Sequence, residues 1–251
     1  MNKLFVSIVI PSYNEMQNLK KGILDKVSKY LSSQKYEFEV IIVDDGSDDG
    51  SREFVKEFVA KNKRFRLLEN DHTGKAGAVT KGVLSAVGDY ILFTDMDQAT
   101  PIEELEKLLP FIPEYDIVVG SRSNNRSGAP FSRKIMANGM IILRTFLVGL
   151  SDIRDTQCGF KLFSKEAARK IFTTYSSVHQ GFKSIKNSSV TAGFDIELLY
   201  IGERFGYQVK EVPIRWFYVE TRRVSPLRDS VEGLLELFKI RSRIIKKVYQ
   251  R

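Results

Sequence analysis

The chain has one cysteine, Cys158, so no internal disulfide can form and stability must come from a hydrophobic core. That usage matches a reducing compartment. Long apolar runs are missing. The longest, Gly139 to Leu150, is about a dozen residues broken by Arg144, where a spanning helix needs about 20. No Pro/Ser/Gly linker, low-complexity tract or solenoid-length repeat divides the sequence, which predicts one compact domain with a C-terminal appendage. The two histidines, His72 and His179, sit in polar loops without metal-ligand spacing. There is no G-x-S-x-G elbow and no Walker loop, and Gly74, Gly77 and Gly82 have the wrong spacing for G-x-G-x-x-G. Cys158 has no activating base near it in sequence and reads as a small buried residue. The first apolar run, Leu4 to Ile10, lacks a small-residue cleavage site and ends in Pro11, so it reads as a strand rather than a signal peptide.

What the sequence does have is a net charge of +8, which calls for an anionic partner: nucleotide, lipid headgroup or nucleic acid. The cations do not interleave with aromatics and no nucleic-acid motif appears, so nucleic acid is not expected. Phe5 to Ile10, Phe38 to Val43, Arg66 to Leu68, Tyr90 to Thr94 and Ile117 to Val119 are short β-branched or aromatic runs, most of them apolar on both faces, as buried parallel strands require. Helical stripes alternate with them: Leu19, Ile23, Val27 and Leu31; Phe54, Val55, Phe58 and Val59; Ala76, Val79, Val83 and Val87. This pattern predicts an α/β fold with a mostly parallel sheet and helices on both faces. Beyond Val119 the alternation breaks down. The pattern predicts a loop at 121–130, a helix over 131–150, a strand at 159–163, a helix from about Ser164, a mobile loop over 173–193, a helix at 194–205, a strand at 209–216 and a final helix from about Pro226.

In such sheets ligands bind outside the carboxyl ends of the strands. Those ends carry Pro11-Ser12-Tyr13-Asn14-Glu15, Asp44-Asp45-Gly46-Ser47, Thr73-Gly74-Lys75-Ala76-Gly77, Asp95-Met96-Asp97 and Gly120-Ser121-Arg122. Asp95 and Asp97 flank one residue in a turn, and paired hard oxygens suit Mg²⁺ or Mn²⁺ bridging a diphosphate. An isolated D-x-D is more often a solvated turn or a helix cap, but this one directly follows a buried strand. Of Asp44 and Asp45, one carboxylate is expected to cap the next helix, leaving the other for a base or ribose, with Ser47 or Asp48 as N-cap. The glycines around Lys75, at a helix start, offer backbone N–H groups and a charge to phosphate.

Taken together, Val6 to Glu15, Ile42 to Ser47 and Thr94 to Asp97 resemble the signature segments of family 2 glycosyltransferases with the GT-A fold. Val119 to Arg122, Ser132-Arg133-Lys134, Asp155 to Phe163, Phe194 to Leu199 and Glu211 to Trp216 are similar to the dolichyl-phosphate β-glucosyltransferase branch. The likeness runs from Val6 to about Arg241. It implies a glycosyltransferase domain over 1–225, with a nucleotide-sugar half at 1–122 and an acceptor half at 123–225, followed by a basic helix at 226–251. Pro11, Tyr13, Glu15 and Asp45 would hold base and ribose, Asp95 and Asp97 the metal and diphosphate, and Arg122 and Arg133 the acceptor phosphate. Ala99 stands where GDP-mannose-using relatives carry a metal-binding Gln, and Gln98 precedes it, which favours UDP-glucose as donor. The 173–193 segment is longer than the family pattern.

The implied reaction is inverting transfer of glucose to a polyprenyl or dolichyl phosphate, an acceptor already anionic and in little need of a base. A hydroxyl acceptor would need one, and Asp195 or Glu197 would supply it, unless both are salt-bridged structure. A GDP-mannose-using enzyme and a non-catalytic nucleotide-binding relative are the other readings. A lipid-linked acceptor places the enzyme peripherally on the cytoplasmic face of a membrane. The final segment fits that role: Leu227, Val231, Leu234, Phe238, Ile245 and Val248 recur at helical spacing beside Lys239, Arg241, Arg243, Lys246, Lys247 and Arg251. A core-packed helix with a solvated basic face has the same pattern.

Overall fold

The computed structural model describes residues 3–122, 131–180, 182, 193–217 and 226–250, and of residues 131–138, 140, 226–230 and 250 the backbone alone. The strands are β1 (Phe5–Ser12), β2 (Glu37–Asp44), β3 (Phe65–Glu69), β4 (Tyr90–Thr94), β5 (Ile117–Ser121), β6 (Phe160–Ser164) and β7 (Val209–Pro213). They form one sheet in the order β3-β2-β1-β4-β6-β5-β7. All pairs are parallel except those of β6, which runs antiparallel to both β4 and β5. The residues preceding β6 therefore arrive at the edge where β4 and β5 end.

Period-two alternation divides the core. Val9, Ile41, Val43 and Phe93 face one layer, and Ile8, Ile10, Val40, Ile42 and Leu92 the other. The second layer is covered by α1 (Met16–Lys20), α2 (Ile23–Ser32), α3 (Ser51–Lys61) and α5 (Leu105–Leu108), the first by α4 (Gly74–Ser85), α7 (Lys165–Val178), α8 (Phe194–Arg204) and α9 (Pro226–Ile245). α6 (Phe131–Val148) packs beside α9. The stripe from Leu19 to Leu31 spans two helices, because Gly22 at φ +71° breaks the run between α1 and α2. Val87, placed in the third stripe, lies beyond α4 and is exposed.

One boundary differs substantially from the sequence reading. The segment expected to be a loop from Thr173 continues α7 to Val178. Ala168, Ile171, Phe172 and Tyr175 form its buried stripe, and the hydroxyls that obscured it bond backward, Thr174 Oγ1 to Lys170 O and Ser177 Oγ to Thr174 O. The rest of that expectation, apart from 179–180, 182 and 193, lies outside the described residues, as does the loop expected over 121–130 apart from Ser121, which ends β5, and Arg122. Arg144, the charge interrupting the longest apolar run, is buried and donates to Leu150 O, Ile153 O and Thr156 Oγ1, fastening the turn that leads to β6.

Candidate active site

β4 delivers Asp95 and Asp97 at the sheet edge. Met96 between them points into the core, 2% exposed, so the two flanking carboxylates face out of it. Gln98 adopts φ +49° and its side-chain amide donates to Asp95 O at 2.9 Å, so it shapes the turn itself. Asp97 Oδ1 accepts the Ala99 N–H at 2.9 Å. Burial pushes the Asp97 carboxyl up, the Ala99 N–H and Lys75 only partly oppose this, and the neighbouring Asp95 adds to it. Lys75, the second residue of α4, lies 2.5 Å from Asp95 Oδ1. Burial works against its charge, but Asp95, Asp195 and Asp97 together raise its pKa. A cation is thus already paired with Asp95.

The paired hard carboxylate oxygens of Asp95 and Asp97 are a donor set that would fit a divalent ion sharing its coordination with a diphosphate. Among the described residues no group of three or more His, Cys, Asp or Glu side chains converges as a complete protein site. Gly159 makes room for this arrangement, because a Cβ there would lie 2.2 Å from Asp95 Oδ2.

A cavity opens between Asp95, Thr100, Arg122, Gln157, Gly159 and Trp216. Arg122 forks onto Asp155 through Nε and Nη2 at 2.8 and 2.7 Å, and its guanidinium stands 5.8 Å from the Trp216 ring centroid. Burial opposes its charge and the Asp155 pair more than restores it, so the pKa is raised. The fork expected to clasp an acceptor phosphate is therefore shared with Asp155. Arg133 falls in the first turn of α6, and its side chain lies outside the described residues.

Asp195 joins the site. Its carboxylate pairs with Lys161, a wholly buried lysine that also donates to Cys158 O at 2.5 Å and stands over the Phe93 ring. Glu197 does not join it. Its carboxylate, 1% exposed, accepts from Tyr249 Oη at 2.6 Å and Arg243 Nη1 at 3.0 Å and meets His179 Nε2 at 3.1 Å, so it latches α9 and the end of α7 onto α8. Cys158 is buried as expected, and burial first of all pushes its thiol up to about 11.

The first two strand ends correct the sequence reading. Both carboxylates are engaged by the chain, Asp44 through Oδ1 alone, its buried Oδ2 having no hydrogen-bond partner among the described residues. Asp44 Oδ1 receives Gly46 N, Ser47 N and Arg52 Nε. Asp45, 2% exposed, accepts Asn70 Nδ2 at 2.7 Å, Thr73 N at 2.9 Å and Gly74 N at 2.8 Å, and meets His72 Nδ1 at 2.9 Å. The backbone donors at the start of α4, expected to face phosphate, are spent on this carboxylate because β2 ends directly against them. α3 starts after Gly50, not at Ser47 or Asp48. Pro11 is the penultimate residue of β1, Tyr13 stacks on His72, and Glu15 accepts from Asn18 at 2.6 Å.

Sequence reasoning missed Asp155, Lys161, Trp216 and His72 as site residues. A lysine inside the apolar run Phe160-Lys161-Leu162-Phe163 was the readable signal, since a charge in a buried strand needs a partner. Asp155 and Trp216 offered no local signal, and His72 was set aside for lacking metal spacing.

The family model described as Glycosyl transferase family 2 matches residues 7–172. A dolichyl-phosphate β-glucosyltransferase of Dictyostelium discoideum is 31% identical over 272 residues, covering 100% of this chain and 78% of its own length. One from Saccharomyces cerevisiae is 30% identical, covering 99% and 77%. Among solved structures, glucosyl-3-phosphoglycerate synthase from Mycobacterium tuberculosis, in complex with Mn²⁺, UDP and glucosyl-3-phosphoglycerate, aligns with a TM-score of 0.61 at 18% identity, covering 96% of this chain and 81% of that one.

Proposed function

The chain belongs to glycosyl transferase family 2 and is a glycosyltransferase of the GT-A fold, and on that premise we propose that it transfers glucose from UDP-glucose to a polyprenyl or dolichyl phosphate at a membrane surface. The observation that carries this reading is that one cavity is lined by both Asp95, the first of the paired acids, and Arg122. One end is built for a leaving diphosphate, the other for an arriving anion.

Asp95 and Asp97 would hold Mg²⁺ or Mn²⁺, which supplies charge stabilisation to the departing nucleoside diphosphate. Lys75 adds a second positive charge beside Asp95. On the acceptor side, Arg122, fixed by Asp155 and backed by Trp216, lends a cation to the incoming phosphate, and Arg133 is proposed as its companion. An oxygen of the acceptor phosphate bonds to the anomeric carbon as the bond to the diphosphate breaks, and the electron pair leaves on the diphosphate. In-line attack inverts an α-linked donor to a β-linked product. No base is required, and of the two candidate bases for a hydroxyl acceptor Glu197 is buried and engaged by Arg243 and Tyr249 while Asp195 is paired with Lys161.

The surface suits a lipid-linked acceptor. α9 has two apolar stripes: Leu237 and Ile240 enter the core, whereas Val231, Leu235, Phe238 and Ile245 are more than half exposed. Ile142 and Phe146 of the adjoining α6 are 69% and 82% exposed, and Lys239, Arg241, Lys246 and Lys247 are exposed beside them. Apolar residues rimmed by cations fit an anionic leaflet. This face differs from the expected one. Leu234 and Val248 are half-buried and Arg243 turns inward to Glu197, while Leu227 and Arg251 have no described side chain. Among the described residues no helix is long and apolar enough to cross a membrane.

The test is transfer from a panel of nucleotide sugars with Mg²⁺ or Mn²⁺, with and without a polyprenyl phosphate. Glucosyl transfer from UDP-glucose that depends on both metal and lipid phosphate is expected. Preference for GDP-mannose, or equal transfer to a soluble sugar alcohol, would refute the reading.

A further inference from the structure

The place assigned above to the donor's base already contains a ring. The His72 imidazole lies on Tyr13 with ring centroids 4.1 Å apart and planes 18° from parallel. Its Nδ1 is 2.8 Å from Asp45 O and 2.9 Å from Asp45 Oδ2. Both partners are acceptors, so Nδ1 carries a proton and donates. Nε2 is buried with no hydrogen-bond partner. A flat heteroaromatic ring stacked on tyrosine and giving a ring N–H to a carboxylate makes the same interactions as a nucleobase with a ring N–H.

We propose that His72 is an internal occupant of the base slot, and that a nucleoside diphosphate binds by displacing the imidazole from Tyr13 and Asp45. This deepens the UDP-glucose reading and rests on it. The exchange is chemically balanced. When the ring leaves, Asp45 keeps its bonds from Asn70, Thr73 and Gly74, so no bare charge is buried, and the incoming base takes over the vacated one. The stand-in is also the weaker ligand, because its Nε2 stays unsatisfied where it sits, a cost relieved on departure. Because Asn70, Thr73 and Gly74 hold the backbone on either side, the ring leaves by rotation about its own side-chain bonds, and Gly46, at φ +85°, lies against its root: a Cβ there would come 3.1 Å from His72 Cβ. The arrangement also sets specificity. Uracil and guanine carry a ring N–H to replace Nδ1–H at Asp45. Adenine and cytosine present an unprotonated ring nitrogen there and would face the carboxylate with lone pairs.

Calorimetry on wild type and His72→Ala, with UDP and with inorganic pyrophosphate, tests this. An internal occupant divides the apparent affinity by the fraction of open slot, so UDP should bind the variant about tenfold tighter while pyrophosphate, having no base, binds both alike. Unchanged or weaker UDP binding by the variant overturns the proposal. A second measurement needs no variant: in wild type labelled at histidine, the His72 ring resonances, shielded by Tyr13, should shift on saturation with UDP. UDP binding with those resonances unmoved overturns the proposal and leaves the donor reading intact. Absence of UDP binding to either protein overturns the donor reading and this inference together.

Discussion

Gly159→Ala should cripple catalysis while sparing the fold. The added Cβ would lie 2.2 Å from Asp95 Oδ2, 2.9 Å from Cγ and 3.1 Å from Oδ1. Ordinary carbon–oxygen contact begins at about 3.3 Å, so the carboxylate must retreat by about 1 Å. The Asp95 side chain is 41% exposed, so it can move without unpacking anything. The retreat pulls it from Lys75 and from its place beside Asp97. A displacement of about 1 Å in a positioned group costs about 10²-fold in rate, equivalent to about 2.7 kcal/mol of barrier. Stability should change by less than about 1 kcal/mol, since the clash is relieved by a mobile side chain. Gly82→Ala is the opposite control: its Cβ meets Val9 Cγ1 at 2.4 Å and Val43 Cγ2 at 2.9 Å, both core atoms, so it should cost about 1–3 kcal/mol of stability and leave activity per folded molecule unchanged. Initial transfer rates, normalised to the folded fraction from thermal melts, separate the two. Wild-type kcat in a folded Gly159→Ala protein would refute the assignment of Asp95 to the reacting site.

Asp97→Ala should lower transfer by about 10²–10³-fold or more without lowering Tm, because burial and Asp95 already make its charge costly to the fold; full turnover in the variant, or in excess chelator, would remove it from the metal site. Glu104 governs acid stability: although burial opposes it, hydrogen bonds from Lys107 and Arg215 hold its carboxyl below the ordinary 4.5. A lowered folded-state pKa contributes stability that is fully present above pH about 4.5 and lost as pH falls through the folded value, so Glu104→Gln should flatten the stability–pH curve in that acid window, as urea melts from pH 3 to 6 would show. Phe146→Ser with Phe238→Ser should reduce cosedimentation with anionic vesicles while leaving the melt unchanged, and wild-type binding should fall with salt; binding indifferent to both would make that face merely exposed.

Much of the fold was readable because its cause is local. Runs such as Val6 to Ile10 and Tyr90 to Thr94 are apolar on both faces and end in polar residues, which marks buried strands feeding one edge. Asp95, Asp97, Lys75 and Arg122 were legible from their place after those strands, and the structure brings them to one region. Partnership was not legible. Nothing next to Glu197 in sequence announces Arg243 and Tyr249, and nothing beside Asp45 announces that four residues of 70–74 converge on it. Such commitments depend on contacts between distant segments, so sequence offered Glu197 and Asp195 equally and only the packing separates them. The end of α7 was lost for a different reason: its hydroxyls read as loop until their backward hydrogen bonds are seen.

The antiparallel β6 has a consequence for how the chain is made. It lies between β4 and β5, pairing Thr94 with Phe160 and Val119 with Lys161. While the polypeptide emerges from the ribosome, β1 to β4 can assemble early, but the outer side of β4 has no partner until 160–164 has been synthesised. β5, although complete before then, cannot dock on β4 directly. The nascent sheet must wait with an apolar strand edge open, the condition that invites chaperones and intermolecular pairing. A fragment ending at 122 would be held permanently at that stage, so it should aggregate when expressed alone and become soluble only when residues through β6 are supplied.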